Sequence, residues 1–111
     1  MTSSEIVVVG SLNVDLVMRA RRRPERGETV LGESFHLFTG GKGMNQAIAA
    51  ARAGARVEMV GRVGVDPFAT MLLGRLDADG VGRRFVIEDA LAGTGVADIV
   101  VDDAGGSSII V

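Results

Sequence analysis

The sequence predicts an α/β fold that carries a smaller flap of β-strands. Strand and helix patterns alternate through the middle of the 111 residues, and short half-polar strand patterns lie early and late. Near the start of the sequence, residues 6–9 form a continuous apolar run that ends at Gly10. Such a run is typical of a strand covered on both faces of a parallel sheet. The length allows one domain at most.

The first half of the chain contains three further strand patterns around two loops. Apolar residues mix with arginine at 16–18, which predicts a more exposed strand, and the charged segment 21–27 contains Pro24 and Gly27, which indicates a loop. Short strands are predicted at 29–31 and 34–38, on either side of Gly32.

The second half supplies two helices, two strands and a hairpin. A helix is predicted over 44–53, with Met44, Ala47, Ile48 and Ala51 on one face and Gly54 as its stop. A strand at 57–60 ends at Gly61, and Asp66-Pro67 marks the start of a second helix that Gly80 ends. A strand follows at 84–87, and a turn at 102–106 joins hairpin strands 95–101 and 107–111.

Composition excludes several function classes. The net charge is −2, so the chain as a whole is not a polyanion binder. It has no cysteine, which excludes disulfides, zinc–thiolate sites and cysteine nucleophiles. The first residues resemble neither a signal peptide nor a membrane span, so we expect a cytoplasmic protein without a membrane partner. Because residues 107–111 read as an apolar strand, we expect the chain to be the first part of a larger protein, truncated within its sheet.

The segment FTGGKGMNQA, residues 38–47, contains the only lysine and lies between a predicted strand and a helix N-terminus. Free backbone N–H groups and the helix dipole favour a phosphate or a polyhydroxylated ligand there. The Walker pattern fails because Lys42 precedes Gly43 and residue 36 is histidine. The dinucleotide pattern lacks its third glycine at Gln46, and a glycine-rich turn without a ligand remains an alternative.

Asn13 and Asp15 follow the first buried strand, at the edge where open α/β sheets bind ligands. In an extended chain both side chains point to one side, where an amide and a carboxylate can bind neighbouring sugar hydroxyls. The alternative is an Asx turn at the strand end.

Together these segments resemble a known family. VVVGSLNVD at 7–15, GGKGMNQA at 40–47 within the longer match 24–68, DGV at 79–81 and TGVADIVVD at 94–102 are similar to the N-terminal part of ribokinase-like (PfkB) carbohydrate kinases, and most similar to the ribokinase branch. The resemblance implies a partial central sheet with flanking helices plus a small β-sheet lid. The domain would cover residues 1–111, with lid strands at about 16–38 and 95–111.

The resemblance also implies a function: phosphoryl transfer from ATP to a sugar hydroxyl, with ribose as the preferred guess, and pairing of two copies through the lid. In the family, Asn-x-Asp and Gly-Lys-Gly-x-Asn line the sugar pocket. Carried over, the substrate-binding residues are Asn13, Asp15, Gly41, Lys42, Gly43 and Asn45.

Departures from the family limit this reading. The catalytic aspartate of the family lies in a Gly-x-Gly-Asp motif, which these 111 residues lack. We therefore expect no catalytic residue, no metal ligand and no site for ATP, Mg²⁺ or K⁺ in this chain, which alone would be inactive. Asp98 stands where the lid is usually apolar, and Met44 replaces a small loop residue. The alternatives are a non-catalytic sugar-binding or interaction module and a dinucleotide-binding domain.

Two other features are interpreted as surface. Five arginines cluster near the first loop, but Glu25, Glu28 and Glu33 offset them, so no nucleic-acid partner is expected. The single histidine, His36, is interpreted as a strand-surface residue and not as a metal ligand or catalytic group.

Overall fold

The structure is a computed structural model that describes residues 3–111. The chain divides into two compact units: the first ends at Val14 and resumes over Thr39–Gly95, and the second comprises Asp15–Phe38 and Val96–Val111. Seven strands and two helices follow in order: β1 (Ile6–Val9), β2 (Asn13–Arg19), β3 (Ser34–Gly40), α1 (Lys42–Arg52), β4 (Val57–Gly64), α2 (Pro67–Ala78), β5 (Gly82–Asp89), β6 (Gly95–Val101) and β7 (Ser107–Ile110).

The first unit contains a three-stranded parallel sheet in the order β1-β4-β5. Helix α1 packs on β1 and β4, while α2 packs on β4 and β5. Alternate residues of β4 (Val57, Met59 and Val63) are buried, as are Leu72 and Leu76 of α2. The predicted alternation of strand and helix is therefore confirmed in this unit, and it produces the parallel sheet that such crossovers require.

Gly61 was expected to end the fourth strand, and that prediction is wrong. Strand β4 continues through Gly61 to Gly64. A Cβ at position 61 would overlap the Leu12 side chain and lie 2.9 Å from the Gly10 carbonyl oxygen. The glycine therefore marks a close approach of neighbouring chain to the strand and does not interrupt its hydrogen bonding.

The two helices differ in how well the sequence predicts their ends. Helix α2 begins at Pro67 with Asp66 as its N-cap, as the Asp-Pro pair predicted, and the Asp66 side chain accepts a hydrogen bond from the Ala69 N–H. Helix α1 begins at Lys42, two residues earlier than expected, because its N-cap is Gly41 with φ of 98° and no capping side chain. A glycine cap gives no side-chain signal of the kind that Asp66 gives.

Most of the second sheet lies in the second unit and has the order β3-β2-β6-β7. Strands β6 and β7 form the predicted antiparallel hairpin, and Asp102 Oδ1 accepts a 2.9 Å hydrogen bond from the Gly106 N–H within its turn. The strand expected at 29–31 is absent; the segment belongs to a loop in which Leu31 is 92% exposed. A short β-branched run does not form a strand when no neighbour completes its hydrogen bonds.

Two arginines of the arginine-rich loop in the second unit are paired with carboxylates. Arg22 donates to both carboxylate oxygens of Glu28 at 2.6 and 2.8 Å, and Arg23 lies 3.5 Å from Asp102. The hydrogen bond from Arg22 lowers the pKa of Glu28 to about 2. Acidic partners therefore compensate part of this positive charge, as the sequence predicted.

Across residues 3–111 we find no helix that combines the length and the apolar character needed to span a bilayer.

Candidate functional site

The glycine loop of the first unit places an uncapped helix N-terminus beside the end of β1. The Met44 N–H donates to the Ser11 carbonyl at 3.0 Å, and the Asn45 N–H donates to Gly41 at 2.9 Å. Within residues 3–111, the N–H groups of Lys42 and Gly43 have no such acceptor, and α1 has no capping side chain. The backbone donor of the exposed Lys42 and the positive end of the helix dipole are therefore available to a ligand.

Glycine is required where β1 ends and α1 begins. A Cβ at Gly43 would lie 2.7 Å from the Gly10 Cα, and a Cβ at Gly10 would lie 2.9 Å from the Gly43 Cα. Gly41 adopts a positive φ, and a Cβ there would lie 2.5 Å from the Ser11 carbonyl oxygen. These contacts hold the loop against the residues that follow β1.

Asn13 lies beside this loop. Its backbone nitrogen would be 3.1 Å from a Cβ at Gly41, so the two chain segments are in contact. Its side-chain oxygen packs directly on Gly95, where a Cβ would overlap it. Asn13 is half-buried at the start of β2 and is not in a turn, so the Asx-turn alternative does not describe it. The structure thus brings Asn13 next to Gly41, as the predicted site requires.

The polar side chains of the loop are accessible, and its apolar one is not. Lys42 and Asn45 are exposed in the first turn of α1, whereas Met44 is fully buried. Met44 therefore packs into the core. Gly43 is buried, as its contact with Gly10 requires.

Asp15 lies two residues after Asn13 in β2, is half-buried, and belongs to the second unit. Asp98, also in the second unit, is exposed in β6. His36 is exposed and stacks loosely on Phe38, with ring centroids 6.0 Å apart. The surface position of His36 agrees with the interpretation from sequence. The role of Asp15 in binding a sugar remains a prediction.

The first unit contains a second polar cluster, formed by Asp66 and Thr94. The sequence did not predict that these two residues interact. Asp66 was recognised as a helix cap, but Thr94 lies 28 residues away and its side chain donates to the same carboxylate at 2.6 Å. These hydrogen bonds, first that of the Thr94 hydroxyl and then that of its N–H, lower the pKa of Asp66. The only local signal for Thr94 is a hydroxyl residue between two glycines at the start of a strand.

The chain matches proteins of known family. The sequence model of the family described as "pfkB family carbohydrate kinase" matches residues 3–111. The chain belongs to the pfkB family of carbohydrate kinases. The resemblance seen in the loop motifs is thereby confirmed, and so is the predicted ribokinase-like α/β architecture with two sheets.

Among pfkB relatives, ribokinase from Bacillus subtilis (strain 168) is 46% identical over 106 residues, which make up 96% of this chain and 36% of that protein. Ribokinase from Schizosaccharomyces pombe is 45% identical over 111 residues, covering 95% of this chain and 35% of the relative. The chain therefore spans about a third of the length of these relatives.

A solved structure gives the corresponding comparison of folds. The structure of Arabidopsis thaliana ribokinase complexed with ribose and ATP superposes with a TM-score of 0.89 at 33% identity, over 98% of this chain and 36% of that one. A pfkB relative of the same fold therefore binds both ligands that the sequence analysis implied.

Proposed function

We propose that this chain forms the sugar-binding part of an ATP-dependent carbohydrate kinase that phosphorylates a sugar hydroxyl, with ribose as the sugar. The observation that carries the proposal is the contact between Asn13 and the Gly41–Asn45 loop at the end of a parallel strand. Ligands of open α/β sheets bind at this end of the strands. Matches to two ribokinases and to a ribokinase complex with ribose support ribose as the substrate.

The donor and acceptor groups of the site suit a polyol. The Asn13 and Asn45 amides both donate and accept, the Lys42 ammonium donates, and the Asp15 carboxylate accepts. The free N–H group of the exposed Lys42 adds a backbone donor. Gly41 and Gly43 allow the loop to pack closely against Ser11 and Gly10, which fixes the position of the start of α1. In our proposal these six residues bind the sugar and orient one hydroxyl for transfer.

Phosphoryl transfer itself requires groups outside this set. Transfer depends on positioning and on neutralising charge around the phosphoryl group. Within residues 3–111 no three Asp, Glu or His side chains are placed to hold a metal ion. The Gly-x-Gly-Asp motif that carries the family's base is also absent from the sequence. We propose that these residues alone bind sugar without catalysis.

Two further parts of the proposal concern assembly and location. Pairing of two copies through the second sheet is supported by apolar side chains that the second unit exposes, Phe35, Phe38 and Ile110 among them. A cytoplasmic location is proposed because ATP-dependent sugar phosphorylation occurs where ATP is abundant.

Calorimetry on the 111-residue chain tests sugar binding directly. We expect saturable binding of ribose and no binding of ATP or NAD, with a dissociation constant in the range of about 1 μM to 1 mM that is usual for small substrates. Binding of NAD in place of ribose would support the dinucleotide-binding alternative. Absence of binding across ribose, 2-deoxyribose, fructose and adenosine would contradict the proposal.

A chimera tests the kinase assignment. The chain is joined to the remaining two-thirds of Bacillus subtilis ribokinase in place of the matching segment, and ATP-dependent sugar phosphorylation is measured. We expect turnover with ribose in the chimera and none in the 111-residue chain. A folded chimera that binds ribose but never phosphorylates it would favour the non-catalytic binding module.

A further inference from the structure

Three chain segments of the first unit meet at Thr94. It is the one polar residue that is buried in the part of the chain that the structure describes, with 7% of its surface exposed. Its hydroxyl donates to Asp66 Oδ1 at 2.6 Å and accepts from the Gly64 N–H at 2.9 Å. One side chain thus connects the end of β4, the start of α2 and the start of β6.

Asp66 completes this cluster with both carboxylate oxygens. Oδ1 accepts from the Ala69 N–H at 2.9 Å and from the Thr94 hydroxyl, and Oδ2 accepts from the Thr94 N–H at 2.9 Å. Hydrogen bonds donated to a charged acceptor are shorter and stronger than hydrogen bonds between neutral groups. The backbone of Thr94 is therefore fixed at its nitrogen, and its side chain is fixed at its oxygen.

The same backbone forms the support of the Asn13 side chain. Gly95 follows Thr94 directly, and the Asn13 amide oxygen packs on it so closely that a Cβ would overlap. The backbone is equally tight on the other side, where a Cβ at Gly64 would lie 2.6 Å from the Thr94 nitrogen. A displacement of Thr94 must therefore move Gly95 and change the space available to the Asn13 amide.

We propose that Asp66 and Thr94 are positioning residues of the sugar site, which set the orientation of the Asn13 amide by holding Gly95 beneath it. This inference rests on the proposed function for its effect on sugar affinity. The pair therefore has a role beyond capping α2. Its hydrogen bonds fix the backbone of Thr94 and hence of Gly95, and Gly95 limits the space of the Asn13 amide.

The variants separate positioning from simple stabilisation. Thr94→Val keeps the shape and removes the hydroxyl, whereas Thr94→Ser keeps the hydroxyl. Asp66→Asn retains an oxygen for the Ala69 N–H but turns an NH₂ group toward the Thr94 N–H. Asp79→Asn is the matched control, because Asp79 caps the other end of α2 and pairs there with Arg52 and Arg75.

The first readout needs no sugar. In ¹⁵N-labelled protein, we expect Thr94→Val and Asp66→Asn to shift or broaden the Asn13 side-chain NH₂ and Gly95 amide signals, while Thr94→Ser and Asp79→Asn leave them in place. Unchanged Asn13 and Gly95 signals in the Thr94→Val variant would overturn the proposal. If that variant does not fold, Asp66→Asn decides by the same criterion.

The second readout is the ribose dissociation constant from calorimetry. We expect the dissociation constant to increase roughly tenfold in Thr94→Val and Asp66→Asn, which corresponds to one misplaced hydrogen-bonding group. In Thr94→Ser and Asp79→Asn it should increase less than about twofold. Equal losses in Asp66→Asn and Asp79→Asn would indicate stability alone and contradict positioning. Failure of the wild-type chain to bind ribose would contradict the proposed function, while the Asn13 signals would still decide the positioning claim.

Discussion

At the scale of single residues, close backbone contacts determine where the candidate site lies. Gly10 and Gly43 are so close that a Cβ on either would collide with the other's Cα, and Gly41 turns the chain with a positive φ beside Ser11. The sequence predicted that the glycine loop would bind a ligand, but it did not predict these contacts. Glycine composition shows that backbone can approach closely, whereas the partner of each glycine depends on tertiary packing.

The Gly10–Gly43 contact predicts that Gly43→Ala is destabilising. The added methyl would lie 2.7 Å from the Gly10 Cα, and neither backbone can move without disturbing β1 or α1. We expect the free energy of unfolding to fall by about 1–3 kcal/mol, measured by urea titration.

The control for this prediction is Gly74→Ala in α2. A Cβ at Gly74 meets nothing within 4 Å, so this change is expected to raise stability by about 0.5–1 kcal/mol through helix propensity. Equal and small effects at both glycines would show that the Gly10–Gly43 contact is not tight.

The polar residues of the site predict a specific loss of sugar affinity. Lys42→Ala and Asp15→Ala each remove a proposed partner of a sugar hydroxyl, which costs about 1–3 kcal/mol, or roughly 5- to 150-fold in the ribose dissociation constant. Calorimetry with ribose on the 111-residue chain measures the loss of sugar affinity. Calorimetry with ATP on the chimera measures any loss of ATP affinity. The controls are Arg52→Ala at the other end of α1 and Asp98→Ala, which is exposed in β6. Equal loss for sugar and ATP would refute the assignment.

At the scale of elements, helix α2 has an aspartate with a lowered pKa at each end. Asp66 lies at the N-terminus, where the helix dipole favours a carboxylate. Asp79 lies at the unfavourable C-terminal end, but it accepts a 2.9 Å hydrogen bond from Arg52 and forms a 2.9 Å ion pair with Arg75. The sequence predicted α2 well because Asp66-Pro67 is a side-chain signal, whereas the start of α1 at Lys42 was missed because a glycine cap has none.

The α2 ends predict how stability depends on pH. Hydrogen bonds from Thr94 lower the pKa of Asp66, and the hydrogen bond from Arg52 is the main cause that lowers the pKa of Asp79. Since the folded pKa lies below the ordinary aspartate value of about 3.9, the stabilisation is fully present above that value and is lost as pH falls through the folded pKa.

Urea unfolding at a series of pH values checks this expectation. Stability should be level above about pH 5 and should decline below about pH 4. Asp66→Asn should flatten part of that decline, whereas Asp103→Asn, in an exposed turn, should leave it unchanged. A decline of the same size in the Asp66→Asn variant would contradict the role given to this carboxylate.

At the scale of the whole molecule, one face of the parallel sheet in the first unit is exposed. Val9, Val60 and Phe85 are partners across the three strands, and Val9 is 76% exposed. Ile87 extends the same face from β5 and is 54% exposed. The sequence indicated a strand covered on both faces at 6–9, but within these 111 residues only Val8 of β1 is buried.

This face predicts that the 111-residue chain self-associates, two copies covering each other's apolar strands. Sedimentation velocity at increasing concentration should show a dimer or larger species. Val9→Lys or Ile87→Lys should reduce the association through this face and leave pairing through the second sheet unchanged. The control Leu91→Lys changes a loop residue that is 98% exposed and should have no such effect. A monomer at all concentrations would contradict the prediction.

A ribose titration tests the proposed single polyol site at the end of β1 most directly. Ribose is titrated into the ¹⁵N-labelled chain while backbone and side-chain amide signals are followed. For a single sugar site we expect saturable shifts at Asn13, Lys42, Gly43 and Asn45 with one common dissociation constant. Saturable shifts confined to other residues, or no shifts at millimolar ribose, would contradict it.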